Sequence, residues 1–441
     1  MPNAQIHNRM TRRKLLASVP LATAVLGSTG CGVVGGKTPV RFWNGFTGPD
    51  GRTMLRMVKR FNQENPDVHV VMQRSEWATH YNKVFVAGLG KRAPEVFVVH
   101  TRTMERFVRA GLVRPNDDLV SGAAAGEPLD VSDLDTNVWE GVEFDGRHYA
   151  LPIDVHAMGM YFNRARFREA GLVGAGGEPV LPTDREGLLD ACHQMTRPAR
   201  GGEPPRWGYV FHNWEGHLYT FMRQFGGEFF TSDHRRCLLH NPENVAALQL
   251  CVDMIRRYQV APPPENFDSW IGFRQGKVGI TYEGIYMLAD LQKQQDLDYG
   301  GAPVPLVGTE KAVFADSHNL CLRADLEGPQ LEAAWRFLRF LSDHSLDWAE
   351  GGQIPVRQSL RATPRFASMT VQSAFARQIP YVTYFPRMTY ILEFLREYNL
   401  AIELATRGRA SASDALRGAE ERVNRIIQRE RSAQRTGEVW V

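Results

Sequence analysis

The sequence predicts an α/β protein of two lobes, each built on a mostly parallel sheet flanked by helices, with a helical C-terminal region. The chain has 441 residues, which is long for one core and suits two lobes of roughly 150–200 residues. Strand-like and helix-like patterns alternate along most of it, as they do in βαβ units. Residues 96–99 are continuously apolar, which is typical of a strand buried on both faces of a parallel sheet.

The N-terminal part alternates predicted strands and helices. Residues 39–43 are a predicted strand, and a helix then begins at Asp50 and carries apolar residues at helical spacing. The Asn65-Pro66 pair ends this helix, because proline disfavours the helical conformation of the residue before it. Residues 68–72 form the next predicted strand, so strand, helix and strand follow in the order of a parallel sheet.

The same alternation continues after residue 150. Thr183 and Glu186 form a predicted capping box at a helix start. Pro242 follows Asn241 in a first-turn position, where its missing N–H costs nothing. From residue 374 onward the pattern is mainly helical and ends in the charged segment 417–435. Further strands are predicted at 158–162, 278–282 and 313–322.

Residues 1–30 are a predicted export signal. Arg12 and Arg13 resemble a twin-arginine export motif, and the apolar run 15–26 is shorter than the roughly 20 residues that span a bilayer. Small residues precede Cys31, so we predict lipid attachment at Cys31 and a short tether over 31–37. Ser28 stands where lipoprotein signals prefer leucine, and a plain cleaved leader with an incidental cysteine is the alternative.

The bulk chemistry excludes several classes of function. The formal charge is +3, but residues 1–30 hold four basic and no acidic residues, so the body is near neutral and no nucleic-acid partner is expected. No GxxxxGK[ST], HExxH or GxSxG motif occurs. Four further cysteines show neither CxxC nor metal-type spacing. We predict no cofactor and no metal, and the cysteines leave any disulfide pairing open.

Several segments carry a family resemblance. They are 42–45 (Phe-Trp-Asn-Gly) with 48–51, 61–66, 149–156 (Tyr-Ala-Leu-Pro-Ile-Asp-Val-His) running into 161–163 (Tyr-Phe-Asn), 276–280 before 283–284, and 352–357. In this order they resemble the extracellular solute-binding proteins of ABC importers, in the branch that binds oligosaccharides such as maltose or trehalose and also glycerol phosphates. The resemblance spans Val40 to about Arg409. One departure is Tyr286, where the family often has tryptophan.

The resemblance implies a two-lobed fold like that of type II periplasmic binding proteins, with the ligand held between the lobes. It places crossing segments near 152–156, 314–318 and 351–357. The lobes would then comprise 38–152 with 316–350, and 153–315 with 351–441. It also implies an exported monomer at the cell surface or in the periplasm. This monomer would capture a sugar or related solute and pass it to permease subunits whose ATPase lies on separate chains.

Candidate binding residues follow from the chemistry of a sugar. Apolar sugar faces call for aromatic platforms and hydroxyl edges call for polar partners. The loops and strand ends offer Trp77 and Trp270 as further aromatics. The residues we predict to bind ligand are Trp43, Asn44, Glu76, His100, Asp154, His156, Trp214, Gly284, Tyr286, Ser317, His318 and Arg357.

Alternative roles remain open for some of these residues. Asp154 and His156 point to one face of an extended segment and suit either a ligand or an internal hinge network. The same pair suggests a metal only weakly, because no third or fourth ligand is evident. Arg357 suits a ligand or a salt bridge between lobes. A surface sensor and a secreted glycosidase are the rival functions, and Asp154 lacks the second carboxylate that a glycosidase needs.

Overall fold

A computed structural model describes residues 36–212, 214–265 and 267–436. The predicted export signal and Cys31 lie outside these residues. The strands are β1 (Thr38–Asn44), β2 (Val68–Arg74), β3 (Val96–His100), β4 (Glu143–Phe144), β5 (Arg147–His148), β6 (Leu151–Pro152), β7 (Asp154–Asn163), β8 (Trp207–Phe211), β9 (Val278–Gly284), β10 (Tyr299–Ala302), β11 (Val313–Asp316), β12 (His318–Leu322), β13 (Ile354–Pro355) and β14 (Val382–Thr383).

Helices surround these strands and make up the C-terminal region. They are α1 (Pro49–Glu64), α2 (Trp77–Leu89), α3 (Met104–Arg109), α4 (Asp117–Val120), α5 (Thr136–Trp139), α6 (Arg164–Glu169), α7 (Arg185–Met195), α8 (Trp214–Gln224), α9 (Pro242–Arg256), α10 (Ser269–Arg274), α11 (Leu288–Leu291), α12 (Gly328–Asp343), α13 (Ser345–Trp348), α14 (Gln358–Arg361), α15 (Pro364–Ala367), α16 (Thr370–Ala376), α17 (Ile391–Thr406) and α18 (Ala412–Thr436).

Two main sheets organise the chain. The first has the order β2-β1-β3-β12-β6, with β1 parallel to both neighbours and β12 antiparallel to β3 and β6. The second is centred on β7, which pairs antiparallel with β9, β10, β11 and β13. The predicted α/β class is therefore confirmed, but the second sheet is mixed rather than mostly parallel, because each strand paired with β7 runs against it.

The strand β7 is longer than the sequence pattern predicted. All ten of its residues are buried, whereas the prediction began only at Met158. The missed start holds Asp154 and His156, polar residues that hide a buried strand from a hydrophobicity pattern. The predicted run 313–322 divides at Ser317 into β11 and β12, which belong to different sheets.

The chain passes between the sheets at two places where strands follow each other directly. β6 and β7 are separated by one residue, and so are β11 and β12. The short β13 then pairs with β7 after the helices α12 and α13. We propose the division of lobes given above, 38–152 with 316–350 and 153–315 with 351–441, with one boundary moved from residue 316 to Ser317, because β11 belongs wholly to the second sheet.

Helix starts show where local sequence signals hold. Pro242 begins α9 as predicted, and Asn241 caps the helix by accepting a hydrogen bond from the backbone N–H of Asn244. The predicted capping box at Thr183 is wrong, because Asp184 caps α7 and accepts from Gly187. An aspartate next to a threonine offers a second acceptor, and the helix begins one residue later.

The cysteines of the described residues are buried and unpaired; they are Cys192, Cys237, Cys251 and Cys321. Burial raises the pKa of each thiol, so thiolate formation is suppressed. Across the described ranges, no helix combines the length and the apolar character needed to cross a bilayer.

Candidate ligand cleft between the lobes

A cleft of about 440 Å³ lies where the two sheets meet. The first lobe lines it with residues that follow β1 and β3 and with the start of α2, and the second lobe contributes residues of β7, β9, β11 and α8. The ends of strands are the usual place for ligand sites in α/β folds. The volume lies within the range of about 300–1,000 Å³ that small-molecule pockets occupy.

The first-lobe wall is the indole of Trp77, which rests on Gly45. A Cβ atom at position 45 would lie 2.1 Å from a ring carbon of Trp77, so only glycine permits this seat. The indole also lies against other rings, with centroids 4.3 Å from His100, 5.5 Å from Phe46 and 5.5 Å from His318. Packing on several sides therefore fixes the orientation of this aromatic platform.

The second-lobe wall is the phenol ring of Tyr286, which rests on Gly284 in the same way. A Cβ atom at position 284 would lie 2.0 Å from the Tyr286 ring. The Tyr286 hydroxyl donates a hydrogen bond of 2.8 Å to Oε1 of Glu283. The ring of Tyr286 also faces His156, with ring centroids 6.0 Å apart. The bond to Glu283 therefore contributes to the orientation of this second aromatic.

The floor of the cleft consists of His100, His156 and His318. His100 and His318 pair across β3 and β12 in the first sheet, while His156 lies on β7 in the second. Their ring centroids lie 4.6–5.1 Å apart. Burial lowers the pKa of His100 and His156 well below the usual 6.5, and neighbouring His318 lowers both further. Both rings are therefore neutral at pH 7.

Asp154 holds the floor from below and does not line the cleft. Its Oδ2 accepts hydrogen bonds from Nδ1 of His318 at 2.7 Å and from the indole N–H of Trp348 at 2.6 Å. Its Oδ1 accepts from the backbone N–H of His318 at 2.9 Å. Burial alone raises the pKa of Asp154, but His318 and these bonds lower it on balance. Asp154 is thus an ionised group that orients His318.

An ion-pair cluster crosses the cleft. Arg102 of the first lobe contacts Glu215 on α8 at 2.6 Å and Asp316 at 3.3 Å. Burial alone lowers the pKa of Arg102, but the two carboxylates raise it on balance. Burial raises the pKa of Asp316 to about 6. The positive charge in the cleft is therefore already matched by carboxylates, and Asp50 adds one more to its lining.

Five predicted binding residues line this cleft: His100, His156, Gly284, Tyr286 and His318. They come from distant parts of the sequence and meet because β3 and β9 end, and β7 and β12 begin, at the junction of the sheets.

The other predicted residues do not line it. Trp43 stacks under the ammonium of Lys83, and Asn44 is buried and caps the turn at Phe46. Trp214 stacks on Phe211, with ring centroids 4.4 Å apart. In each case the side chain makes local contacts outside the cleft.

Three polar predictions serve structure instead. Glu76 is exposed and caps α2 by accepting from the N–H groups of Ala78 and Thr79. Ser317 is buried, with its hydroxyl 3.2 Å from that of Tyr384. Arg357 forms ion pairs with Asp133 and Asp343, which favours the salt-bridge role over the ligand role. These three residues lie outside the cleft, and Asp154 lies beneath it.

The prediction missed several lining residues. The sequence identifies Trp77 only as a candidate aromatic. Trp43 directly ends a predicted strand, so the sequence pattern gives no reason to prefer Trp77. The charged and apolar lining residues that no pattern identified are Asp50, Arg102, Met158, Glu215, Met287, Phe314 and Asp316. Arg102 follows β3 and Asp316 ends β11, both at the junction of the sheets. That position at a strand end is the signal from which they could have been predicted.

The comparison with known families identifies the class of protein. Residues 46–345 match the family described as bacterial extracellular solute-binding protein. Because the match covers more than half of the chain, this protein belongs to that family, and it is accordingly an exported binding protein.

Individual relatives are distant but extensive. The maltotriose-binding protein of Pyrococcus abyssi is 20% identical over 374 residues, covering 80% of this chain and 74% of its own. An ABC substrate-binding protein of Listeria monocytogenes, solved in complex with cycloalternan, superposes with a TM-score of 0.78 at 19% identity, covering 89% of this chain and 99% of its own. The sugar-binding protein MalE of Xanthomonas citri gives 0.77 at 20%, covering 90% and 99%. At such identities the structural likeness establishes the fold.

Proposed function

We propose that this protein is the substrate-binding component of an ABC importer, and that it captures a sugar by closing two lobes around it. The observation that carries the proposal is the pair of glycine-seated aromatics, Trp77 and Tyr286, that face one cleft above polar side chains. Aromatic faces suit the apolar C–H faces of a sugar, and carboxylates accept its hydroxyls. The relatives named above bind maltotriose or cycloalternan, which supports the same ligand class here.

The charges of the cleft favour a neutral sugar over a glycerol phosphate. A phosphate is recognised best by an arginine whose donors are available. Here Arg102 already contacts Glu215 and Asp316, and Asp50 adds further negative charge. A phosphate dianion would meet these carboxylates, whereas sugar hydroxyls can donate to them.

Ligand contact with both lobes supplies the mechanism. Trp77 belongs to the first lobe and Tyr286 to the second, so a sugar touches both aromatics at once only when the lobes are together. Binding then shifts the population toward the closed form. We propose that a permease recognises this form, and that the ATPase is carried by other chains.

Calorimetric titration of the purified protein with maltotriose, trehalose and sn-glycerol 3-phosphate tests the ligand class. We expect at least one neutral sugar to bind and to raise the melting temperature by mass action, with the glycerol phosphate far weaker. Saturable binding of the phosphate together with no response to any sugar would falsify the sugar assignment. Product analysis of each bound oligosaccharide tests the enzyme alternative, since we propose that none is cleaved.

Membrane attachment is a separate proposal and rests on the sequence. We propose that Cys31 carries a lipid that holds the protein at the cell surface as a monomer. Fractionation of cells that express the unaltered chain or Cys31→Ser tests it. The variant should move from the membrane to the soluble exported fraction, and equal membrane retention of both would show that Cys31 is incidental.

A further inference from the structure

The three floor histidines form a cluster that sugar binding does not require. One ring nitrogen from each of His100, His156 and His318 lies within 4.8 Å of the others, and all three residues are buried. Nε2 of His156 has no hydrogen-bond partner among the described residues. Leaving a buried polar atom unsatisfied is costly, so this nitrogen needs an explanation.

Neighbouring groups orient two of these rings as they would orient metal ligands. Asp154 accepts from Nδ1 of His318 at 2.7 Å, which leaves Nε2 of that ring with its lone pair. The hydroxyl of Tyr81 contacts Nδ1 of His100, and when this hydroxyl accepts from Nδ1, Nε2 keeps its lone pair for another partner. A histidine whose second nitrogen is held by a carboxylate or similar group is the common arrangement at zinc sites.

We propose that His100, His156 and His318 bind one divalent transition-metal ion of the zinc class at the floor of the cleft. Imidazole nitrogens suit zinc, cobalt, nickel and copper, whereas magnesium and calcium prefer oxygen. Three protein ligands leave a fourth position, and this position faces the cleft. An oxygen atom of a bound solute or of water can occupy it.

The geometry asks for a small contraction. Zinc–nitrogen bonds of about 2.0–2.1 Å in a tetrahedral site place ligand nitrogens about 3.4 Å apart. Since the ring nitrogens lie within 4.8 Å of one another, no pair needs to approach by more than about 1.4 Å. His156 lies on the second sheet and the other two histidines on the first. Rotation of the imidazoles together with a small closure of the lobes brings them together, so the metal would tie the two sheets where they meet.

The surrounding charge favours a cation. Carboxylates near the floor are Asp50, Asp154 and Asp316, and the one nearby guanidinium among the lining residues of the cleft, Arg102, is already paired with Glu215 and Asp316. A divalent ion at the floor would face an excess of negative groups. This inference goes beyond the proposed sugar binding and does not depend on it.

Equilibrium dialysis of the untagged, chelator-treated protein against zinc chloride alone tests the site. We expect one zinc per chain, with affinity reduced at least 100-fold in His156→Gln and in His318→Gln. The matched control is His69→Gln, an exposed residue of β2, which should bind zinc as the unaltered protein does. Asp154→Asn should weaken binding about 10–100-fold and shift the cobalt absorption bands, since Asp154 acts through His318.

Cobalt substitution in the unaltered protein provides a readout that needs no variant. Intense visible bands of four-coordinate cobalt would support the site even where a substituted chain fails to fold. Absence of stoichiometric zinc binding, a weak six-coordinate cobalt spectrum, or an equal loss in His69→Gln would overturn the proposal. Because no sugar is present, none of these results bears on the sugar proposal.

Discussion

The two aromatic walls of the cleft follow one design with different support. Trp77 on the first lobe and Tyr286 on the second each rest on a glycine, and a methyl group added to that glycine would displace the ring. Trp77 is also packed against His100 and His318, and Tyr286 has a hydroxyl bond to Glu283. Ring packing supports the first wall, and the support of the second includes a hydrogen bond that one substitution can remove.

The two walls should therefore respond differently to substitution. A platform packed on several sides keeps its orientation when the lobes separate, because its neighbours all belong to the first lobe or to the floor. The bond of Tyr286 to Glu283 can be removed while the ring stays in place. We expect larger losses of sugar affinity from substitutions on the first wall than from removal of this bond.

The largest effect should come from Trp77→Ala. Removing a central aromatic anchor typically costs 2 kcal/mol or more, so we expect sugar affinity to fall about 100-fold, or roughly 2.7 kcal/mol. The matched control is Trp43→Ala, which removes an indole that packs against Lys83 outside the cleft. Titration calorimetry of both proteins measures the difference, and equal losses would show that the platform is not Trp77.

Gly45→Ala should have a smaller effect of about tenfold, roughly 1.4 kcal/mol. The added methyl would lie 2.1 Å from the Trp77 ring, so the ring must tilt or shift. Gly176→Ala is the control, since an added Cβ there meets nothing within 4 Å. An unchanged affinity in Gly45→Ala would mean that the first wall is adjustable after all.

Tyr286→Phe should weaken sugar binding about fivefold. The variant keeps the ring and removes the bond to Glu283, a contribution of about 1 kcal/mol. Tyr258→Phe, which alters an exposed tyrosine, controls for the loss of a hydroxyl. A loss as large as that of Trp77→Ala would erase the contrast between the two walls.

Glu95→Gln should leave affinity unchanged and lower the free energy of unfolding by about 1 kcal/mol at pH 7. Glu95 precedes β3, at the end of the strand opposite the cleft residue His100, and Arg41 donates to it at 2.6 Å. Burial raises the pKa of Glu95, but the Arg41 bonds lower it on balance below its usual 4.5. The stabilisation is therefore full above pH 4.5 and is lost as the pH falls through the lower, folded-state pKa.

Denaturant unfolding at several pH values measures this effect. The curves of Glu95→Gln and the unaltered protein should converge in acid, whereas Glu64→Gln, which breaks an exposed pair with Arg60, should differ little at any pH. A gap that persists in strong acid would assign the loss to packing and not to charge.

The sequence predicted the fold well because the fold depends on repeating patterns. The helical spacing before Asn65 and the apolar run 96–99 are patterns that many different apolar residues can satisfy. β7 was found only in part, since the Asp154 and His156 that begin it are buried for reasons outside the pattern. Their burial depends on Trp348 and His318, which lie far away in the sequence.

The site was predictable only where polar residues sit on the crossing segments. His156 and His318 were found because they lie at the predicted passages between the lobes. Trp43 was preferred over Trp77 because it ends a strand, yet Lys83 covers its ring. The choice between these two indoles depends on Gly45, whose missing side chain makes room for the ring of Trp77. A local sequence pattern cannot predict this contact.

The buried thiols affect how reversibly the protein unfolds. An exported chain works in an oxidising compartment, and here Cys192, Cys237, Cys251 and Cys321 stay reduced inside the fold. Each excursion to the denatured state exposes them together to oxidants and to one another. Heat inactivation in air should therefore become irreversible because non-native disulfides form, and added reductant should restore the recovery of folded protein on cooling.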